Sequence, residues 1–121
     1  MALILVVDDE QDACSMLYRI LSTGGHQVVT FTEAEAALEW LERHSPELAI
    51  LDFKLHKLTG LELLKRIRSL SPTTRVVILT AYPSPETFIE ALNLGASKYL
   101  IKPIELDYLE ISVEEVLRTV P

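Results

Sequence analysis

Leu3-Ile4-Leu5-Val6-Val7 runs straight into Asp8-Asp9, and the same construction recurs three times: Leu48-Ala49-Ile50-Leu51 before Asp52, Val76-Val77-Ile78-Leu79 before Thr80, and Tyr99-Leu100-Ile101 before Lys102. Each polar residue directly follows an apolar run. Short runs of this kind, separated by helix-like segments, read as parallel strands whose two faces are both covered, which is why they do not alternate apolar and polar residues. Strands are expected near 3–7, 27–31, 48–51, 75–80 and 98–101. Helices fit near 10–23, 33–44, 59–70, 85–94 and 105–119. Apolar residues recur at three- and four-residue steps in several of these helices, Leu61, Leu64, Ile67 and Leu70 in the third and Phe88, Ala91 and Leu92 in the fourth, and these stripes are expected to be core. The punctuation agrees. Gly24-Gly25 stops the first helix, Thr32 can cap the second, Ser45-Pro46 ends it, Thr59 can cap the third, and Ser84-Pro85 opens the fourth.

Five βα units of this length predict an α/β fold with one doubly wound parallel sheet, right-handed crossovers and five helices. The second strand, His26 to Phe31, is more polar than the others and suits an edge, whereas the strand ending at Leu51 should be central. The order 2-1-3-4-5 follows. It places the reversal of winding between the first and third strands, so that Asp8, Asp9 and Asp52 meet at the carboxyl edge, where ligands of such sheets bind.

The 121 residues fit one domain with a core that needs no disulfide or structural metal. Hydrophobic residues make up 49% and charged residues 24%, an ordinary balance for a soluble protein, and no apolar run is long enough to span a bilayer. The first residues lack the basic start of a signal peptide, so a cytoplasmic protein is expected. A net charge of -7 opposes direct binding to a nucleic-acid backbone. The one cysteine, Cys14, sits among Met16 and Leu17 on the first helix and reads as packing rather than redox chemistry.

Three carboxylates at one strand edge repel one another unless a cation lies among them. Hard oxygen donors without a His or Cys cluster point to Mg²⁺ rather than zinc. Each residue alone has a plainer reading: Asp8-Asp9 as a helix N-cap, Thr80 as a turn cap, Lys102 as a solvated lysine on an apolar stem, Tyr99 as strand packing. Taken together, Asp8, Asp9, Asp52, Thr80 and Lys102 suit a phosphoryl site: given a donor, Asp52 would attack phosphorus in line while Thr80 and Lys102 can contact phosphoryl oxygens.

As a set, Asp8-Asp9, Asp52 with Gly60 eight residues on, Thr80-Ala81 and Gly95-Ala96-Ser97-Lys98-Tyr99-Leu100-Ile101-Lys102-Pro103 closely resemble the receiver domain of bacterial two-component response regulators, over essentially the whole chain. The resemblance implies a flavodoxin-like (CheY-like) domain over residues 1–121, free-standing or cut from a longer regulator. It implies a signalling switch rather than an enzyme, with Asp52 phosphorylated by a histidine kinase or phosphotransfer protein. Mg²⁺ would be held by Asp9, Asp52 and the Lys54 backbone carbonyl, with Asp8 acting through water. Thr80 and Tyr99 would form the switch, Tyr99 turning inward as Thr80 moves and altering the face made by the fourth helix, fifth strand and fifth helix. The Lys102-Pro103 peptide would be cis. The expected partners are the kinase and an output domain or downstream protein, with a homodimer or a monomer both left open and neither nucleic acid nor membrane contacted directly.

Two departures from the pattern stand out. The family's Met-Pro at the third and fourth positions after the acceptor is replaced by Leu55-His56, and Lys54 adds a cation that could compete with the metal, alter attack of water on the phosphoryl group, or point to solvent. From Tyr82 to Ser97 there is no Lys or Arg, which argues against the dimer that pairs a basic fourth helix with an acidic fifth. Three other readings are weaker. A phosphohydrolase needs a second Asp two residues after the nucleophile, where Lys54 stands. A dinucleotide site needs a glycine-rich turn where Val7-Asp8-Asp9-Glu10 stands. A receiver-like scaffold that never takes phosphate would have little use for an intact Asp52, Thr80 and Lys102.

Overall fold

The computed structural model describes residues 1–119, so the expected domain limit at Pro121 lies outside the described residues. Strands and helices alternate throughout: β1 (Leu3–Val7), α1 (Gln11–Thr23), β2 (Gln27–Phe31), α2 (Ala34–Leu41), β3 (Leu48–Asp52), α3 (Gly60–Leu70), β4 (Arg75–Thr80), α4 (Pro85–Asn93), β5 (Lys98–Ile101) and α5 (Leu106–Leu117). The sheet is wholly parallel in the order β2-β1-β3-β4-β5, as the sequence predicts. The central strands β1, β3 and β4 carry unbroken apolar runs because both faces are buried there. Leu5, Val7, Ala49, Leu51, Val76 and Ile78 face α2, α3 and α4, while Ile4, Val6, Leu48, Ile50, Val77 and Leu79 face α1 and α5.

Register is what assembles the polar edge. Val7 lies opposite Leu51, Asp52 opposite Leu79, and Thr80 opposite Ile101, so the residues that follow or end these strands emerge side by side. Two glycines take backbone positions that a side chain would disturb, and the second lies beside this edge. Gly25, at φ +92°, takes the left-handed turn that ends α1 before β2. Gly60 opens α3 where the chain folds back on the end of β3, and its N–H donates to the Phe53 carbonyl at 2.6 Å. A Cβ at Gly60 would stand 2.5 Å from the Asp52 carbonyl oxygen and 3.1 Å from the Phe53 Cα.

Gly60→Ala therefore tests two opposed effects. Helix propensity alone favours Ala by about 1 kcal/mol. Overpacking against immovable backbone outweighs it, and a net loss of about 2 kcal/mol in urea unfolding is expected. A neutral or stabilising result would show that the Asp52–Gly60 approach is not tight.

Several helix limits differ from expectation. Thr32 does not cap α2: Glu33 holds the N-cap position and makes no side-chain cap bond. The helix ends at Leu41 rather than near 44 because Glu42 and Arg43 bond back to Glu39 and Trp40, three residues away, which tightens the last turn. Thr59 caps α3 fully, in a box where its hydroxyl accepts from the Glu62 N–H and the Glu62 carboxylate accepts from the Thr59 N–H. The α4 stripe is not core. Ala91 is buried, but Phe88 and Leu92 are 43% and 46% exposed, because α4 packs on a four-residue edge strand with little sheet beneath it. Leu70, at the end of the α3 stripe, is exposed as well.

Candidate functional site

The expected residues gather at one edge of the sheet. Asp8 follows β1 and is 2% exposed; Asp52 ends β3 and is 9% exposed. Lys102, one residue beyond β5, reaches both, its Nζ lying 2.8 Å from Asp52 Oδ1 and 3.1 Å from Asp8 Oδ2. The other oxygen of Asp8 accepts from the Glu10 N–H at 3.0 Å, so Asp8 also orders the turn into α1. Asp9 completes the set. One carboxylate oxygen from each of Asp8, Asp9 and Asp52 falls within 4.8 Å of the others.

The electrostatics follow from counting: the Lys102 ammonium bonds two of the three clustered carboxylates. Burial, reinforced by the charges of Asp8 and Asp9, pushes the Asp52 carboxyl above its usual range despite the bond from Lys102. Burial alone would lower the Lys102 ammonium, but its bonds to Asp52 and Asp8 outweigh that and hold its pKa up. The directions are compatible. Lys102 gains two anions, whereas Asp52 shares its single cation and still faces two like charges. A convergent, partly desolvated trio of hard oxygens with a net negative balance is a donor set that fits Mg²⁺.

Thr80 is buried, and its Oγ1 accepts from the Tyr82 N–H at 2.9 Å, which leaves the hydroxyl proton free to donate. The Lys102-Pro103 peptide is cis. Lys54 has its Nζ 4.8 Å from the centroid of the Tyr82 ring, a cation–π contact, and its backbone bridges to Thr59. A cleft of about 490 Å³ opens over the edge, with Asp9, Asp52 and Lys102 on its floor and Lys54, His56 and Tyr82 around it.

Tyr99 is half-buried and tethered to α4. Its ring meets Phe88 edge-on at 5.4 Å, and its hydroxyl is 2.7 Å from Thr87 Oγ1 and accepts from the Ser84 N–H at 3.3 Å. Ser84 was legible as a cap; Thr87 carried no signal, because its role depends on the placement of β5 against α4. Cys14 is a buried free thiol that donates to the Asp8 carbonyl, and burial pushes its pKa up, away from nucleophilic thiolate character.

A model of the response regulator receiver domain family matches residues 4–114. The chain is 39% identical over 114 residues to the transcriptional regulatory protein ZraR of Escherichia coli, covering 94% of this chain and 26% of that protein. It is 31% identical over 114 residues to the sporulation initiation phosphotransferase F of Bacillus subtilis, covering 94% of this chain and 92% of the other. A crystal structure of a CheY-like receiver domain protein from Methanospirillum hungatei superposes with a TM-score of 0.93 at 32% identity, covering 97% of this chain and 94% of that one. The chain thus spans about a quarter of the length of the ZraR relatives and nearly all of the short phosphotransferase.

Proposed function

The chain belongs to the response regulator receiver domain family, a family of phosphorylation-activated signalling switches rather than enzymes, and we propose that Asp52 is its phosphoryl acceptor. The observation that carries this reading is the Lys102 ammonium, bonded at once to Asp52 and to Asp8 at the end of a neighbouring strand. That bond holds the Asp52 carboxylate at the edge of the cleft, where it is nearly buried. An Asp52 oxygen forms the new P–O bond as the donor's bond to phosphorus breaks, and the departing group keeps that electron pair. Lys102 remains as a compact positive charge for one phosphoryl oxygen, and the Thr80 O–H is free to donate to another. A Mg²⁺ ion held by Asp9, Asp52 and the Lys54 carbonyl, with Asp8 acting through water, would neutralise developing phosphoryl charge.

The switch is assigned to Thr80 and Tyr99. Movement of Thr80 toward a phosphoryl group gives up its bond from the Tyr82 N–H, and inward rotation of Tyr99 gives up its contacts with Ser84 and Thr87 at the start of α4. Phosphorylation shifts the balance only by contacts that differ between the two states. The surface that would change already exposes Phe88, Ile89, Ile101, Tyr108 and Ile111, a contact-ready face.

The partners are a histidine kinase or phosphotransfer protein upstream, and an output domain or downstream protein beyond. Among the described residues no helix is long and apolar enough to cross a membrane. A dimer pairing a basic α4 with an acidic α5 is disfavoured, since Lys98 is already bonded to Glu115 at 2.6 Å.

Incubation with Mg²⁺ and acetyl phosphate, followed by intact mass measurement, tests the assignment. One added phosphoryl group on the wild type and none on Asp52→Asn is expected. An adduct that persists in Asp52→Asn would move the acceptor elsewhere.

A further inference from the structure

The proposed switch leaves one imidazole at the acidic cleft without a role. His56 stands four residues after Asp52, where the loop departs from the family's usual Pro. Its Nε2 lies 3.8 Å from Asp9 Oδ2, and its Nδ1 lies 3.9 Å from Glu33 Oε2. Neither separation is a hydrogen bond. The ring is instead bracketed by two carboxylates, one of which belongs to the Asp8, Asp9 and Asp52 cluster.

That sequence of groups has a known chemical use. A histidine that binds a metal through one ring nitrogen generally presents the other N–H to a carboxylate, which fixes the tautomer and the ring direction. Glu33 is placed for the second role and the Asp9 cluster for the first. Neighbouring cations do not pre-empt either position: Lys57 pairs with Glu35 at 3.2 Å, and Lys54 lies over the Tyr82 ring. The His56 side chain is 68% exposed, and its ring lies outside the trio of carboxylate oxygens that fall within 4.8 Å of one another, so ligation requires it to turn toward Asp9.

We propose that His56 is a nitrogen ligand for a divalent transition-metal ion held by the Asp9 and Asp52 carboxylates, with Asp8 acting through water and Glu33 as the residue that orients its imidazole. The inference rests on the reading of this cluster as the metal site. Three carboxylates alone suit Mg²⁺, which gains little from imidazole and keeps its waters. Adding one nitrogen donor raises affinity for Co²⁺, Ni²⁺ and Zn²⁺, whose binding to mixed nitrogen and oxygen sites exceeds that of harder ions. The signature of His56 is therefore a change in preference among ions.

Co²⁺ is the probe, read by its visible absorption as it titrates metal-free protein, with Mg²⁺ competition giving the ratio of the two affinities. Wild type is compared with His56→Asn, Glu33→Gln and Asp9→Asn. His56→Asn is expected to lower the Co²⁺-to-Mg²⁺ affinity ratio at least about tenfold and to shift the absorption band, and Glu33→Gln to lower the ratio less. Asp9→Asn should weaken both ions. An unchanged ratio and band in His56→Asn overturns the role of His56 while leaving the aspartate site intact. Failure of wild type to bind either ion, or Co²⁺ binding indifferent to Asp9→Asn, overturns the cluster reading and this inference with it. His56 is solvent-exposed, so loss of fold in the variant is not expected, and a thermal melt of each protein confirms it.

Discussion

Asp52→Asn is expected to raise the melting temperature of the metal-free protein by about 4 °C at neutral pH, a gain on the order of 1 kcal/mol for a chain of this size, while abolishing phosphorylation. The carboxylate is nearly buried, shares one ammonium with Asp8 and faces the charge of Asp9. Its pKa is raised by folding, so the folded state binds this proton more tightly than the unfolded one. Asp52 therefore favours the fold below its unfolded pKa, and that contribution is lost as pH rises through the folded value. At neutral pH the wild type carries the ionised, unfavourable form. Asparagine keeps the shape and an oxygen for Lys102 without the charge. The difference between the two proteins should close as pH falls through the folded pKa of Asp52. With Mg²⁺ added the order should narrow or reverse, because an ion bound to the folded state stabilises it by mass action and the variant has lost a ligand. Thermal melts followed by circular dichroism, with chelator and then with Mg²⁺, measure both. A variant less stable than wild type without metal would mean that the Asp52–Lys102 pair outweighs the carboxylate repulsion.

The same crowding explains why so much of the site could be read from the chain. Strands buried on both faces must be continuously apolar, so the first polar residue after each of these runs marks the sheet edge; parallel pairing then brings Asp8, Asp52, Thr80 and Lys102 to that edge. Periodicity did less well where burial is incomplete. Phe88 and Leu92 have helical spacing, but whether a stripe is covered depends on how much sheet lies beneath it, and β5 is a short edge strand. The α2 helix ends at Leu41, short of the expected limit near 44, for a local reason, the tightened turn at Glu42 and Arg43. The contacts of His56 with Asp9 and Glu33, and of Tyr99 with Thr87, were beyond reach for a different one. Each joins residues on separate loops or elements, and no local pattern encodes a meeting of that kind.

Lys102→Met carries the largest expected loss of stability, about 3 kcal/mol at neutral pH, or roughly 10 °C in melting temperature. Methionine preserves most of the apolar stem and removes the one cation that bonds both Asp8 and Asp52. Asp8, at 2% exposure, is then a buried anion whose remaining named partner is a backbone N–H. Folding raises the Lys102 pKa, so its stabilisation is fully present below the unfolded lysine value and is lost as pH rises through the folded one. The gap from wild type should therefore hold across neutral and mildly alkaline pH and close only under strongly alkaline conditions. It should also narrow in acid, where a protonated Asp52 no longer needs the ammonium. Coupling gives the sharper check. If the loss reflects uncompensated carboxylates, adding Asp52→Asn to Lys102→Met should recover part of it, so that the double variant is more stable than the single one. Recovery requires that the two residues act through each other. A double variant no more stable than Lys102→Met would assign the loss to packing of the lysine stem, and the charge balance that orients Asp52 would then rest on Asp8 and its turn.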